Sequence, residues 1–273
     1  VTAVDGETGA VRVTKVPSTP SDEGRAVLKG LGELAVAGAR VRRIVHGTTV
    51  GTNAILQQRG ARVALVTTAG FRDLIEIGRT KRNIPALFNP TFVRPTPPVP
   101  RPLRFEVEER ILHDGSVRRP LDEAAVRRLA VPMAQQEPEA VAVCLLHSYA
   151  NPAHERQLAA LLRETFPRVP VSCSSEVVPE YREFERFSTT VLNAYIQPLM
   201  ERYLEALERE LVGSGYRTGV LTIGSSGGVL TAETARRLPI KTVFSGPAGG
   251  VSQAVFIGRQ VRLKDLITYD MGG

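Results

Sequence analysis

Thr242-Val-Phe-Ser-Gly-Pro-Ala-Gly-Gly-Val251, followed closely by Leu266-Ile-Thr-Tyr-Asp-Met-Gly-Gly273, is the stretch on which the fold turns. Thr242 to Phe244 suits a short strand, and the Gly/Pro cluster behind it suits a sharp turn. Pro247 fits the first turn of a helix, where an amide hydrogen would have no partner. Val251, Ala254, Val255 and Gly258 continue with helical spacing. Leu266 to Tyr269 reads as a second short buried strand, closed by the carboxylate of Asp270 and by two glycines. Without a Cβ in the way, the amides of Gly246, Gly249, Gly250, Gly272 and Gly273 can approach a phosphate closely. A carboxylate at a strand end can hold Mg²⁺, usually through water. Together these features make the pattern of a nucleotide phosphate site.

Upstream, Val220 to Ile223 is a strand, and the Gly224 to Gly228 turn behind it suits either an anion site or a tight turn. Thr231 caps a short helix. Glu176 to Leu211 reads as mainly one long helix with Phe184, Phe187, Val191 and Leu199 on its apolar face. Pro198 is expected to kink it, and Gly213 to Gly215 to end it. Such a helix would carry the chain from one lobe into another. From Asp122 to Cys173 helix and strand alternate, with Ala140 to Leu146 as a central parallel strand, so a right-handed βαβ unit is expected. Phe105 to Arg119 reads as a hairpin turning at His113-Asp-Gly115.

The segment from Arg72 to Arg104 is rich in proline, which argues against regular helix or central strand and for a long ordered loop or clamp over a site. Arg79, Lys81 and Arg82 there either meet an anionic substrate or are solvated charges. Nearer the start, Val1 to Val16 suits a hairpin around Asp5-Gly-Glu-Thr-Gly9, and Ser21 suits the cap of a helix over residues 22–37. A strand over 41–45 ends in His46-Gly-Thr-Thr49. A helix over 51–59 and a buried strand over 62–67, ending in Thr67 and Thr68, follow. Ligands in open α/β folds gather at such carboxyl ends. His46 has two readings, a satisfied histidine at a strand end or a contact to substrate or phosphate beside Thr48 and Thr49.

Ser245-Gly-Pro-Ala-Gly-Gly250 and Asp270-Met-Gly-Gly273 resemble the hydantoinase A / 5-oxoprolinase family. So do His46-Gly-Thr-Thr-Val-Gly-Thr-Asn53, Thr67-Thr-Ala-Gly-Phe-Arg-Asp73 and Ser188-Thr-Thr-Val-Leu-Asn-Ala-Tyr195. The motifs are collinear and cover nearly the whole chain. The resemblance implies an α/β, actin / sugar-kinase-like (ribonuclease H-like) two-lobe ATPase fold, here incomplete. Residues 1–175 would form the N-terminal region, and residues 176–273 the start of the core domain. It implies ATP and Mg²⁺ as cofactors, and phosphoryl transfer that activates a cyclic amide, such as a hydantoin or 5-oxoproline, or a ketone. Asp270, His46 and Thr48 are then the catalytic candidates, with Asp270 also the Mg²⁺ ligand. Thr49, Asn53 and Arg79 are the substrate candidates. A hydantoinase B-like subunit or domain and an oligomeric assembly are the implied partners. Two departures stand out. A first phosphate turn of the form Asp-x-Gly-Gly-Thr is not found, and Ser226 stands where the family usually has Asn. The chain therefore reads as an internal piece of a longer protein that would not turn over ATP alone. The other reading is a truncated, non-catalytic relative serving as an assembly or nucleotide-binding module.

Composition narrows the classes. The net charge of +7 raises nucleic acid as a partner. However, the arginine pairs are scattered and lack interleaved aromatic residues, so no nucleic-acid surface is expected. No apolar run reaches the ~18 residues of a membrane helix, so no membrane span is expected. The two cysteines, Cys144 and Cys173, lie in apolar strand-like runs and read as buried reduced thiols, which points to the cytoplasm. His147 and His154 show neither metal spacing nor a carboxylate partner in sequence, so zinc is not expected. P-loop, nucleophile-elbow and Rossmann signatures do not occur.

Overall fold

The computed structural model describes residues 1–17, 19, 23–79, 88–93 and 95–269. They belong to two compact units, one made of Val1–Thr52 with Leu199–Gly273 and the other of Asn53–Pro198.

The first unit opens with the expected hairpin, β1 (Thr2–Val4) antiparallel to β2 (Val11–Val13). The Asp5 carboxylate accepts the amides of Glu7 and Thr8, both at 2.9 Å, and so holds the turn. Helix α1 (Glu23–Glu33) stops short of the expected residue 37. Gly30 and Gly32 weaken its last turn, and Ala35 adopts φ 48°. Strand β3 (Ile44–His46) and helix α2 (Val50–Leu56) follow.

The second unit is a four-stranded sheet of order β5-β4-β8-β9, formed by β4 (Val63–Thr68), β5 (Arg104–Val107), β8 (Ala140–Cys144) and β9 (Val171–Cys173), with every pair parallel. β4 and β8 are buried along their whole length because both faces are covered. On one face Val66, Val141 and Val143 pack with Val126 and Met133 of α4 (Glu123–Ala134) and Leu158 and Leu162 of α5 (Ala153–Thr165). On the other, Leu65, Ala142 and Cys144 pack with Phe187, Val191 and Ala194. The expected hairpin over 105–119 is only partly formed. Phe105 and Val107 pair with Val66 and Thr68 in the central sheet, and the hairpin shrinks to β6 (Arg110–Ile111) and β7 (Val117–Arg119). In the proline-rich segment, α3 (Leu74–Ile77) is the one α-helix among the described residues before Arg101.

The expected long helix is split. α6 (Ser174–Val177) ends before Arg182, which adopts φ 75°, and α7 (Glu183–Gly213) then runs without interruption through Pro198. It re-enters the first unit at Leu199, where Met200, Leu204, Leu207 and Leu211 are buried. Gly215, at φ 85°, follows its end. Strand β10 (Val220–Ile223) pairs in parallel with β3, placing Thr222 opposite His46, and in antiparallel with β11 (Val229–Thr231). Thr231 caps α8 (Ala232–Arg237) through the amide of Thr234.

The last stretch departs from expectation at both strands. Residues 242–244 form none, because Pro239–Thr242 is a tight 3-10 turn and Phe244 sits in the left-handed region at φ 61°. The helix behind it, α9 (Ser245–Gln260), does form, with Pro247 in its first turn. Residues 266–269 also form no strand, and Ile267 and Tyr269 are 98% and 83% exposed. A short strand exists only through ladder partners, and the three-stranded sheet β11-β10-β3 does not pair with this segment. Among the described residues no helix is long and apolar enough to cross a membrane.

Candidate functional site

In the first unit the threonine-rich turn after β3 meets the glycine-rich start of α9. The hydroxyl of Ser245 donates to the carbonyl oxygen of Thr48 at 3.1 Å, and both residues are buried. The amide of Phe244 donates to the hydroxyl of Thr52 at 3.1 Å. Thr48 Oγ1 accepts the amide of Val50 at 3.2 Å, starting α2. These bonds fix the first turn of α9 against the loop. α9 has no side-chain cap, so its opening amides are not consumed by a capping oxygen. A Cβ added at Gly246 or Gly250 would meet nothing within 4 Å, and one at Gly249 would touch only Ile223. The start of the helix is therefore open to an anion, and the helix dipole favours one there. This arrangement fits a phosphate group.

His46 closes β3. Its Nε2 shares a 2.6 Å hydrogen bond with the Tyr203 hydroxyl, and the two rings lie 5.8 Å apart. Burial lowers its pKa below the ordinary 6.5, which favours the neutral imidazole. The satisfied-histidine reading thus describes Nε2. Beside it, Thr222 is fully buried, and its hydroxyl oxygen has no hydrogen-bond partner among the described residues. Thr49 and Asn53 are exposed, Thr49 in the loop and Asn53 on α2. Asp270, Gly272 and Gly273, the remaining catalytic and phosphate candidates, lie outside the described residues. No group of three His, Cys, Asp or Glu able to hold a metal occurs among the described residues. Tyr203 and Thr52 were missed by sequence reasoning. Thr52 lay within the quoted threonine motif, but Tyr203 carried only a helical period.

In the Gly224–Gly228 turn the amide of Gly224 donates to Gly228, that of Gly227 to Gly224, and that of Ser225 to Lys241, at 2.8, 3.0 and 2.7 Å. Three of its five amides are thus spent within the protein, which favours the tight-turn reading. Gly227, at φ 80°, also leaves space that a Cβ would take from Ser252 of α9 at 2.3 Å.

In the second unit the carboxyl ends of the strands hold two buried polar clusters. Glu109 bonds Thr68 Oγ1 and, at 2.7 Å, His154 Nδ1, which supplies the carboxylate partner that the sequence did not reveal. Glu155, fully buried, accepts Leu145 N at 2.9 Å, Ser174 Oγ at 2.6 Å and Ser175 N at 2.8 Å. Burial raises its pKa against those bonds. Arg186, also fully buried, donates to Ser174 Oγ and to the carbonyls of Glu180 and Leu145. Arg79 pairs with Glu185, Nε at 2.8 Å and Nη2 at 2.5 Å. Lys81 and Arg82 lie outside the described residues. Both cysteines are free and buried, as expected.

The hydantoinase/oxoprolinase N-terminal region matches residues 1–166, and the hydantoinase/oxoprolinase domain matches residues 186–273. The caprolactamase subunit alpha of Pseudomonas jessenii is 34% identical over 273 residues, covering 97% of this chain and 39% of that protein. The acetophenone carboxylase gamma subunit of Aromatoleum aromaticum is 34% identical over 297 residues, covering 100% and 39%. The crystal structure of the ATP-dependent caprolactamase from Pseudomonas jessenii aligns with a TM-score of 0.86 at 33% identity, covering 99% of this chain and 40% of that one. The chain thus spans about two fifths of the length of these relatives, and it has the α/β fold that such enzymes share.

Proposed function

The chain belongs to the hydantoinase/oxoprolinase family, and on that premise we propose that it is part of an ATP-dependent enzyme that activates a cyclic amide or a ketone carbonyl by phosphoryl transfer. The observation that carries the proposal is the bond from Ser245 to Thr48, which holds an uncapped, glycine-rich helix start beside a threonine turn. The structure named an ATP-dependent caprolactamase supports the use of ATP. When bound, ATP with Mg²⁺ supplies the phosphoryl group that turns a carbonyl oxygen into a leaving group.

The chain's own residues would do the rest. The amides of Gly246, Gly272 and Gly273 would hold phosphate oxygens, while Gly249 and Gly250, whose own amides are spent within α9, would keep the approach free of side chains. Thr48 orders the loop through its carbonyl and hydroxyl. His46, neutral and anchored by Tyr203, offers a fixed dipole rather than a charge. Asp270 holds Mg²⁺ or orients the attacking group, and Thr49, Asn53 and Arg79 meet the substrate. Positioning and fixed charge carry most of the catalysis in such transfers. The proposal also includes the division into regions 1–175 and 176–273, a cytoplasmic location, and a hydantoinase B-like partner within an oligomer. The relatives named as subunits support a partner.

The test is carried out on the full-length protein with its partner. Asp270→Asn keeps the fold and lowers ATP-dependent turnover by about a hundredfold or more, the scale of a lost electrostatic group. Gly272→Ala weakens nucleotide binding more than Asp270→Asn does, because a Cβ obstructs phosphate approach. Near-normal turnover in Asp270→Asn removes the carboxylate from the mechanism.

A further inference from the structure

The imidazole of His46 points toward α7. In the parallel pair of β3 and β10, Ile44 stands opposite Val220 and His46 opposite Thr222. Alternate residues of a strand share a face. Ile44 and Val220 pack with Leu207 and Leu211 of α7, with Tyr203 against them. Tyr203 meets the ring on that face, its hydroxyl 2.6 Å from Nε2. Thr222 lies on the same face and is fully buried, yet its hydroxyl bonds no described residue. Among the described residues, holding the ring therefore falls to Tyr203.

The start of α9 lies on the other face. Ile223, the neighbour of Thr222, turns the opposite way along β10. It is the side chain that a Cβ on Gly249 would meet, at 3.6 Å, and that a Cβ on Gly47 would meet, at 3.5 Å. The sheet thus separates the imidazole from the glycine-rich helix start, and the ring reaches the phosphate side through its own backbone. That backbone runs straight into the threonine turn. Two residues after His46, the Thr48 carbonyl accepts the Ser245 hydroxyl at 3.1 Å, and the Thr48 hydroxyl accepts the Val50 amide at 3.2 Å. Thr52 then accepts the Phe244 amide at 3.1 Å.

We propose that Tyr203 is a positioning residue of the phosphate site. By holding Nε2 of His46 it fixes the Gly47-Thr48 turn, and through that turn it sets where the first turn of α9 sits. The inference rests on the phosphate reading of α9 and adds a positioning task for His46, carried by its backbone. Tyr203 lies outside the motifs that carry the family resemblance, 157 positions from His46.

The test uses the full-length protein. Tyr203→Phe keeps the ring and removes only the bond. Hydrogen exchange over residues 47–52 and 243–248, followed by mass spectrometry without nucleotide, should become roughly three- to tenfold faster. KM for ATP should rise by a similar factor with kcat within about twofold, the mark of a displaced binding turn. Tyr216→Phe is the control, since its hydroxyl serves the same core by donating to the Val36 carbonyl at 3.3 Å, and it should leave both readings unchanged. His46→Leu should speed exchange at the same residues, and adding Tyr203→Phe to it should speed exchange no further. Unchanged exchange in Tyr203→Phe overturns the proposal, as does an equal effect of Tyr216→Phe or an additive effect in the double variant. Exchange needs no nucleotide. A wild-type protein that binds no ATP, with variants that respond in this way, keeps Tyr203 as the holder of the turn and removes the phosphate reading instead.

Discussion

The Ser245 hydroxyl donates to the Thr48 carbonyl at 3.1 Å although 197 positions separate the two residues. No local rule places them together, yet the contact joins the two stretches that look most like phosphate-binding elements. Ser245→Ala leaves a buried carbonyl oxygen without its donor and should cost about 1–2 kcal/mol. Urea unfolding measures this, and a wild-type midpoint would show that the bond contributes nothing. On the proposed function, nucleotide affinity falls in the same variant.

His46 should make stability depend on pH. Its folded pKa lies below 6.5, as does that of His147, in both cases chiefly through burial. Below 6.5 the unfolded chain therefore binds protons that the folded chain refuses. Their contribution to stability is complete above pH 6.5 and is lost as pH falls from there through the lowered folded values. Denaturation at pH 7.5, 6.5 and 5.5 should show this decline, and His46→Gln should reduce its slope. An unchanged slope would mean that His46 does not contribute to it.

Glu155 and Arg186 share Ser174 as a common partner, so their variants should couple. Glu155→Gln replaces an acceptor oxygen with a donor in a nest of donors, at an expected cost of about 1–3 kcal/mol. Arg186→Met strands the carbonyls of Leu145 and Glu180, at about 3–5 kcal/mol. The double variant should lose less than the sum of the two, and strict additivity would show that Glu155 and Arg186 act independently.

The cysteines should be silent toward thiol reagents. Burial pushes the Cys173 thiol up to about 12 and that of Cys144 well above its ordinary value. Little thiolate therefore exists at pH 8, and access is blocked as well. Neither should be labelled in the folded protein, and both should be labelled in urea. Rapid labelling of the folded chain would contradict the burial of at least one.

What the sequence revealed depended on how local the cause was. Ala140 to Leu146 was legible as a central strand because burial on both faces leaves an unbroken apolar run. Phe105 to Val107 was legible as strand but not as the edge of the same sheet, because alternation does not name the partner, and Arg104 before it is buried with help from Asp73 and Glu76. Leu266 to Tyr269 failed in the opposite sense, having strand composition but forming no strand. The glycine turn and threonine loop of the candidate site could be read from their residues. The Tyr203 anchor of His46 could not, because helical periodicity says nothing about what a face will touch.

The split of the first unit across the chain has a consequence for synthesis. β3 emerges from the ribosome early, but its neighbour β10 follows only after the whole of Asn53–Pro198. At ordinary elongation rates the wait is roughly ten seconds or more. The continuous unit has every strand it needs by Cys173 and can close first. The nascent segment ahead of Asn53 must meanwhile keep Ile44 and the apolar side of α1 from other partners. A ribosome stalled before Val220 should therefore hold a protease-resistant unit beginning at Asn53 and a protease-sensitive segment ahead of it.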